Sequence, residues 1–159
     1  MTWDDFFTAE VGAAAALAGL IFVGISINLQ RIVALPLVAN RSFQALLILV
    51  ATLALESLLL VPDQSATLLG VETLGVAVAS AIVLNEIERR NWRRVEAKYV
   101  EVLRTHTIEI QLPYAFAAVG GIALLAGAPW ALYWFVPATL VSFLVAILEA
   151  WVITVEILR

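Results

Sequence analysis

Five apolar runs constrain this chain more than any other feature of it. They are about Phe6–Leu29, Phe43–Val61, Ala66–Leu84, Leu112–Gly127 and Trp134–Leu158. A helix that crosses a bilayer needs roughly 17–25 mostly apolar residues at about 1.5 Å rise each. Four runs meet that length. Leu112–Gly127 is short, so it either extends at one end or thins the bilayer locally. Hydrophobic residues make up 63% of the 159 and charged residues 14%. A soluble globule of this size has too little interior to hide that much apolar side chain. The expected fold class is all-α: one integral membrane bundle of five transmembrane helices, with the third helix extended into the cytoplasm.

The basic residues sort by side. Arg31 and Arg41 fall between runs one and two. Arg89, Arg90, Arg93, Arg94, Lys98 and Arg104 fall between three and four, and Arg159 ends the sequence. Five crossings put all 9 on one face; four or six would scatter them. The positive-inside rule makes that face the cytoplasm, with the N-terminus outside and the C-terminus inside. The first run does not read as a cleaved signal peptide, which opens with a basic region. Trp3, Asp4 and Asp5 open this one. Thr2 and Asp5 are spaced as a capping box, which starts the helix at Trp3.

The connections agree with this count. Pro62-Asp63-Gln64-Ser65 reads as a tight outer turn, with Asp63 or Ser65 free to cap the next helix. Ala128-Pro129-Trp130 begins a second outer turn. Trp130, Tyr133 and Trp134, with Trp3, Phe6 and Phe7, are placed for an aromatic belt. Only Ile87–Thr107 stands clear of the membrane. It lacks Gly and Pro, and Trp92, Val95, Tyr99 and Val102 recur at helical spacing. It reads as a helix continuing from span three, whose apolar seam packs on a neighbouring copy, or as a plain solvated connector. Arg89, Arg90, Arg93 and Arg94 lie at headgroup level and are expected to bind anionic lipid, at roughly 1 kcal/mol each. His106 is expected at the surface.

Small side chains let membrane helices approach closely. Run one offers Gly12, Ala15, Ala16 and Gly19; run three Gly75 and Ala79; run four Ala117, Gly121, Ala123 and Gly127. These serve either a tight bundle within one chain or a seam between copies.

The acidic residues carry the functional content. Intramembrane carboxylates are costly, so they face protein or water. Glu56 and Glu72 lie at one depth below the outer face on antiparallel neighbours, and Glu10 enters from the same side. Asp4, Asp5, Glu10, Glu56, Asp63 and Glu72 occupy the outer half without any Lys or Arg. Like charges so placed repel unless a proton, a cation or water relieves them. Glu56, Glu72 and Glu10 are therefore candidates for a proton or cation site. Their alternative role is structural, as carboxyls bonded to a neighbour such as Thr52. Thr139, Ser142, Ala146, Glu149, Ile153 and Glu156 form one stripe on the last run. Glu149 falls near mid-membrane with no basic residue expected at its depth, so it is either neutral or faces a wet cavity. Glu156 has Arg159 within one turn for an ion pair. Asn28, Gln30, Gln44, Thr52 and Ser142 could extend a polar path.

The chain has no cysteine and one histidine, which leaves no disulfide, iron–sulfur cluster or thiolate zinc site to build. No cofactor is expected. Phosphate loops, nucleophile elbows and paired histidines are absent, so no enzyme activity is expected. A net charge of −4 argues against a nucleic-acid partner.

Several strings are similar to a group of small bacterial multi-pass membrane proteins, some labelled modulator of FtsH protease. They are Ala18-Gly19-Leu20-Ile21-Phe22-Val23-Gly24-Ile25-Ser26-Ile27-Asn28-Leu29, Leu60-Val61-Pro62-Asp63-Gln64-Ser65, Leu132-Tyr133-Trp134-Phe135-Val136-Pro137, Ala150-Trp151-Val152 and Glu156-Ile157-Leu158-Arg159. The resemblance implies a bacterial inner-membrane location and brings no functional residues. Two functions follow. One is a homo-oligomeric channel or transporter for protons or small cations, with Glu56, Glu72 and Glu149 on its path. The other is a non-catalytic accessory subunit that binds another membrane protein, such as a membrane protease.

Overall fold

The computed structural model describes residues 2–93 and 100–158, the side chains of Val102, Ile157 and Leu158 excepted. Helix α1 spans Trp3–Ile27. Its start is the capping box: the Asp5 N–H donates to Thr2 Oγ1 at 3.2 Å, and the Thr2 N–H to Asp5 Oδ2 at 2.8 Å. Asn28 interrupts the helix at φ −105°, ψ 14°, and its amide donates back to the Gly24 carbonyl at 3.0 Å. The short helix α2, Leu29–Ala34, follows. Leu35 is extended, as expected of a residue before proline, and Pro36 opens α3, Pro36–Leu59. The second crossing thus begins at Pro36 and not at Phe43, and Arg41 belongs to the helix rather than to a connection.

Ser65, not Asp63, caps α4, Ala66–Trp92, by accepting from the Leu68 N–H at 3.2 Å. Asp63 instead takes the left-handed position of the turn, at φ 56°. Helix α5 spans Val100–Leu125, and its apolar part, Leu103–Leu125, is long enough to cross a bilayer. The run that looked short extends at its N-terminal side. Gly127, at φ 68°, ends it in a left-handed turn that lets the Ala128 N–H reach the Ala123 carbonyl at 2.9 Å. A 3-10 turn at Ala131–Trp134 leads into α6, Phe135–Leu158. Five helices are long and apolar enough to cross a membrane, and no strand occurs among the described residues. The molecule is an all-α multi-pass bundle.

Trp92 Nε1 donates to Thr107 Oγ1 at 3.2 Å. Along one straight helix those residues would stand about 22 Å apart. Helix α4 runs on past Leu84 to Trp92, and the start of α5 lies back against its end; residues 94–99 between them lie outside the described residues. The predicted seam cannot be followed, because Val95 and Tyr99 lie outside the described residues and so does the side chain of Val102.

Helix α3 holds the centre, against α1, α4 and α6, and α4 pairs most extensively with α5. The helices alternate in direction. One end, the carboxylate end, gathers the start of α1, the 60–65 turn and the 126–134 connection. The other, the arginine end, gathers Arg31, Arg41, Arg89, Arg90, Arg93 and Arg104. Buried side chains form three levels. Phe7, Leu55, Ala117 and Phe135 pack at the carboxylate end, Ile48, Leu49, Leu84, Ile110, Val145 and Ala146 in the middle, and Ile32, Val38 and Ile153 at the arginine end. The aromatic residues expected as a belt partly pack on one another. Trp3 meets Tyr133 edge-on at 4.8 Å, and Phe116 stacks with Trp134 at 6.1 Å.

The closest helix approach is between α4 and α5 at Gly70 and Gly121. A Cβ on Gly70 would lie 2.9 Å from the Gly121 carbonyl oxygen, and one on Gly121 3.1 Å from the Leu74 nitrogen. Gly75 has open space, and Ala79, Gly12, Ala15, Ala16 and Gly19 are exposed on the outside of the bundle. The small-residue expectation therefore holds for Ala117, Gly121 and Ala123 and not for Gly75 and Ala79. Gly70, one turn into α4, takes that place.

Candidate functional site

Two polar sites lie inside the bundle, at opposite ends. At the arginine end, Arg41 projects from the first turns of α3 toward α6. Its Nε donates to Glu149 Oε2 at 2.8 Å and its Nη2 to Glu149 Oε1 at 3.1 Å. The pair is two-pronged, the strongest geometry open to a guanidinium and a carboxylate. The side chain of Glu149 is 5% exposed and that of Arg41 24%. The expectation that no basic residue shares the depth of Glu149 is thus overturned, because α3 begins early enough to carry Arg41 into the bundle.

His106, on α5, lies beside this pair. Its Nε2 is 3.0 Å from Glu149 Oε1, and its Nδ1 is 3.6 Å from Glu88 Oε2 on α4. Neither nitrogen forms a hydrogen bond in line with its N–H, so charge holds the ring in place. His106 is 7% exposed, which overturns its placement at the surface. Glu88 is more fully partnered. Gln44 Nε2 donates to its Oε1 at 2.7 Å and Asn91 Nδ2 to the same oxygen at 3.1 Å, while Thr107 Oγ1 lies 3.0 Å from its Oε2 and 2.8 Å from the Leu103 carbonyl oxygen. Asn40 Nδ2 extends the network by donating to Asn91 Oδ1 at 2.8 Å. Helices α3, α4, α5 and α6 all contribute.

At the carboxylate end, Glu56 is 1% exposed near the close of α3. Thr139 Oγ1, on α6, lies 2.6 Å from Glu56 Oε1 and 2.9 Å from the Phe135 carbonyl oxygen. Glu56 Oε2 is buried without a hydrogen-bond partner. Glu10 is half-buried. Glu72 stands apart: it is half-buried on α4 and accepts from Gln64 Nε2 in its own turn. Glu56 and Glu72 thus have separate hydrogen-bond partners, although the turn between α3 and α4 holds both near one end.

The other predicted polar residues divide. Gln44 joins Glu88. Thr52 and Ser142 are buried, but each hydroxyl donates to its own helix, at Ile48 and Ala138 respectively. Asn28 closes α1 and edges a groove between α1 and α6, and Gln30 is exposed on α2. Arg89 and Arg90 are exposed and reach Glu86 at 2.8 and 3.1 Å, within one turn of the same helix. Such exposed pairs, screened by solvent, add little to stability. Arg93 is exposed, and Arg94 lies outside the described residues.

Between the two sites lies the middle apolar level. Gln44 and Glu56 are about 18 Å apart along α3, and Thr139 and Glu149 about 15 Å along α6. Ile48, Leu49, Leu84, Ile110 and Ala146 are each 0% exposed there. Tyr114, also buried in this level, has a hydroxyl without a partner.

Helical phase marks the residues that sequence reading missed. Glu88 continues the buried face of Ala77 and Leu84, and His106 that of Ile110, Tyr114 and Ala117. Following each buried face past the end of its apolar run would have led to both. Among the described residues, no three His, Cys, Asp or Glu side chains are grouped to hold a metal ion. No protein-family model matches the chain, and no curated protein or solved structure does so either.

Proposed function

We propose that this chain passes protons or small cations across a membrane, with Glu56 as the group that binds the ion and Glu10 beside it toward the carboxylate end. The observation that carries this reading is the isolation of Glu56: it is buried, and one carboxyl oxygen lacks a partner. Thr139 supports proton binding. Its hydroxyl has a single proton, yet its oxygen lies close to both Glu56 and the Phe135 carbonyl. Both contacts are satisfied together when Glu56 carries a proton and donates to Thr139, which then donates to Phe135. The packed middle level excludes a permanently open path, so an ion held at Glu56 moves on only when that level parts. The gathering of arginines at one end supports a cytoplasmic placement of that end, in a bacterial inner membrane.

The test is flux. In proteoliposomes with a pH-sensitive dye inside, the wild-type chain should dissipate an imposed pH difference, and Glu56→Gln should fall to the rate of empty vesicles. Equal rates for wild type and variant would reject the reading.

A second reading is favoured by the internal pairing of Glu72, Glu88 and Glu149. Carboxylates satisfied inside the chain serve packing, as in a non-catalytic accessory subunit of another membrane protein, the role the modulator-like strings imply. Flux that is absent from wild-type vesicles, together with co-purification of a membrane protease, would favour it.

A further inference from the structure

We propose that His106 is a proton-binding centre, separate from Glu56, whose proton holds α4, α5 and α6 together at the arginine end. The ring faces a carboxylate oxygen at each nitrogen, Glu149 at 3.0 Å and Glu88 at 3.6 Å. A neutral imidazole has one N–H and one lone pair, so it would turn its lone pair toward one of those carboxylates. Neither N–H lies in line with a carboxylate oxygen, so these contacts are ones of charge, and only the doubly protonated ring carries a charge that draws it to both.

Charge balance agrees. Glu88 Oε1 accepts from both Gln44 and Asn91, which is the behaviour of an ionised carboxylate. Glu149 accepts two N–H groups of Arg41 in the same way. Two carboxylates and one guanidinium leave one negative charge in a buried site, and an imidazolium cancels it. The charged groups that face His106 are Arg41 from α3, Glu88 from α4 and Glu149 from α6. On its own helix, Arg104 and Glu109 are exposed.

Loss of the proton has a specific consequence. Arg41 still holds Glu149, and Gln44 and Asn91 still hold Glu88. His106 contacts both carboxylates, so its charge links α4 to α6 through α5. Without it a lone pair meets a carboxylate, and that link opens.

The chain contains 1 histidine, so protein labelled with 15N-histidine gives one imidazole signal pair without assignment. The full chain, purified through a tag free of histidine and held in detergent micelles, should show the doubly protonated ring. It should convert to the neutral form as pH rises, with the thermal unfolding midpoint falling over the same interval. Glu149→Gln should displace the NMR midpoint, whereas Glu56→Gln should leave it in place. His106→Gln should lose that part of the pH dependence of unfolding. A neutral tautomer throughout roughly pH 5 to 8, where histidine ordinarily changes charge, would overturn the proposal. So would an unfolding midpoint that keeps its pH dependence in His106→Gln. If His106→Gln does not fold, the wild-type NMR titration decides alone.

Discussion

Arg41→Gln isolates the role of one guanidinium. The substitution leaves Glu149, 5% exposed, beside an amide and a single imidazole. Stranding one partner of a buried pair costs about 3–5 kcal/mol. The unfolding midpoint of Arg41→Gln in detergent should drop accordingly, and adding Glu149→Gln should recover much of the loss, because the second change removes the stranded charge. Equal losses in the single and double variants would show that the guanidinium acts by packing its stem and not by charge. This pair also shows what the residues alone did not disclose. Arg41 precedes the apolar run that begins at Phe43, so it read as part of a connection. Pro36, which starts the helix, was the signal that it belongs inside. Glu149 was legible as an intramembrane acid, and Glu56 likewise. Their partners were not, since an ion pair across 108 positions leaves no local trace.

At the scale of elements, α4 and α5 depend on a backbone approach. A methyl group on Gly70 would press on the Gly121 carbonyl at 2.9 Å, and backbone cannot move aside as a flexible side chain can. Gly70→Ala should therefore lower the unfolding midpoint. Gly75→Ala, five residues on with open space around it, should leave the midpoint unchanged or raise it, since alanine is favoured over glycine within a helix by about 1 kcal/mol. Equal effects would remove the close approach as a determinant of stability. All five crossings were legible because each contains a long apolar window. Their ends were not, at Pro36 and Leu103, because Asn40, Arg41, His106 and Gln111 lower local hydropathy near the arginine end. A lipid-facing helix would stop at such residues. These helices continue because the polar side chains find one another in the interior, and that satisfaction is tertiary. The capping residues Thr2 and Ser65 were readable for the opposite reason: each acts within three residues of itself.

For the molecule as a whole, each crossing runs between the end that holds the 60–65 turn and the arginine end, so the two lie on opposite faces. The absence of cysteine lets single introduced thiols report this directly. In intact cells, Ser65→Cys should react with a membrane-impermeant maleimide, and Thr105→Cys only after permeabilisation. The reverse pattern would invert the orientation proposed above, and reaction of both from outside would refute the five-crossing arrangement. Whichever way the bundle points, the packed level of Ile48, Leu49, Leu84, Ile110 and Ala146 behaves as a dielectric slab between two charged compartments. In an energised membrane the voltage falls mainly across that slab, at about 2.3 kcal/mol per elementary charge for each 100 mV. A proton passing from Glu56 to His106 would therefore cross nearly the whole electrical drop, whereas either site in exchange with its own side of the bundle would scarcely feel it.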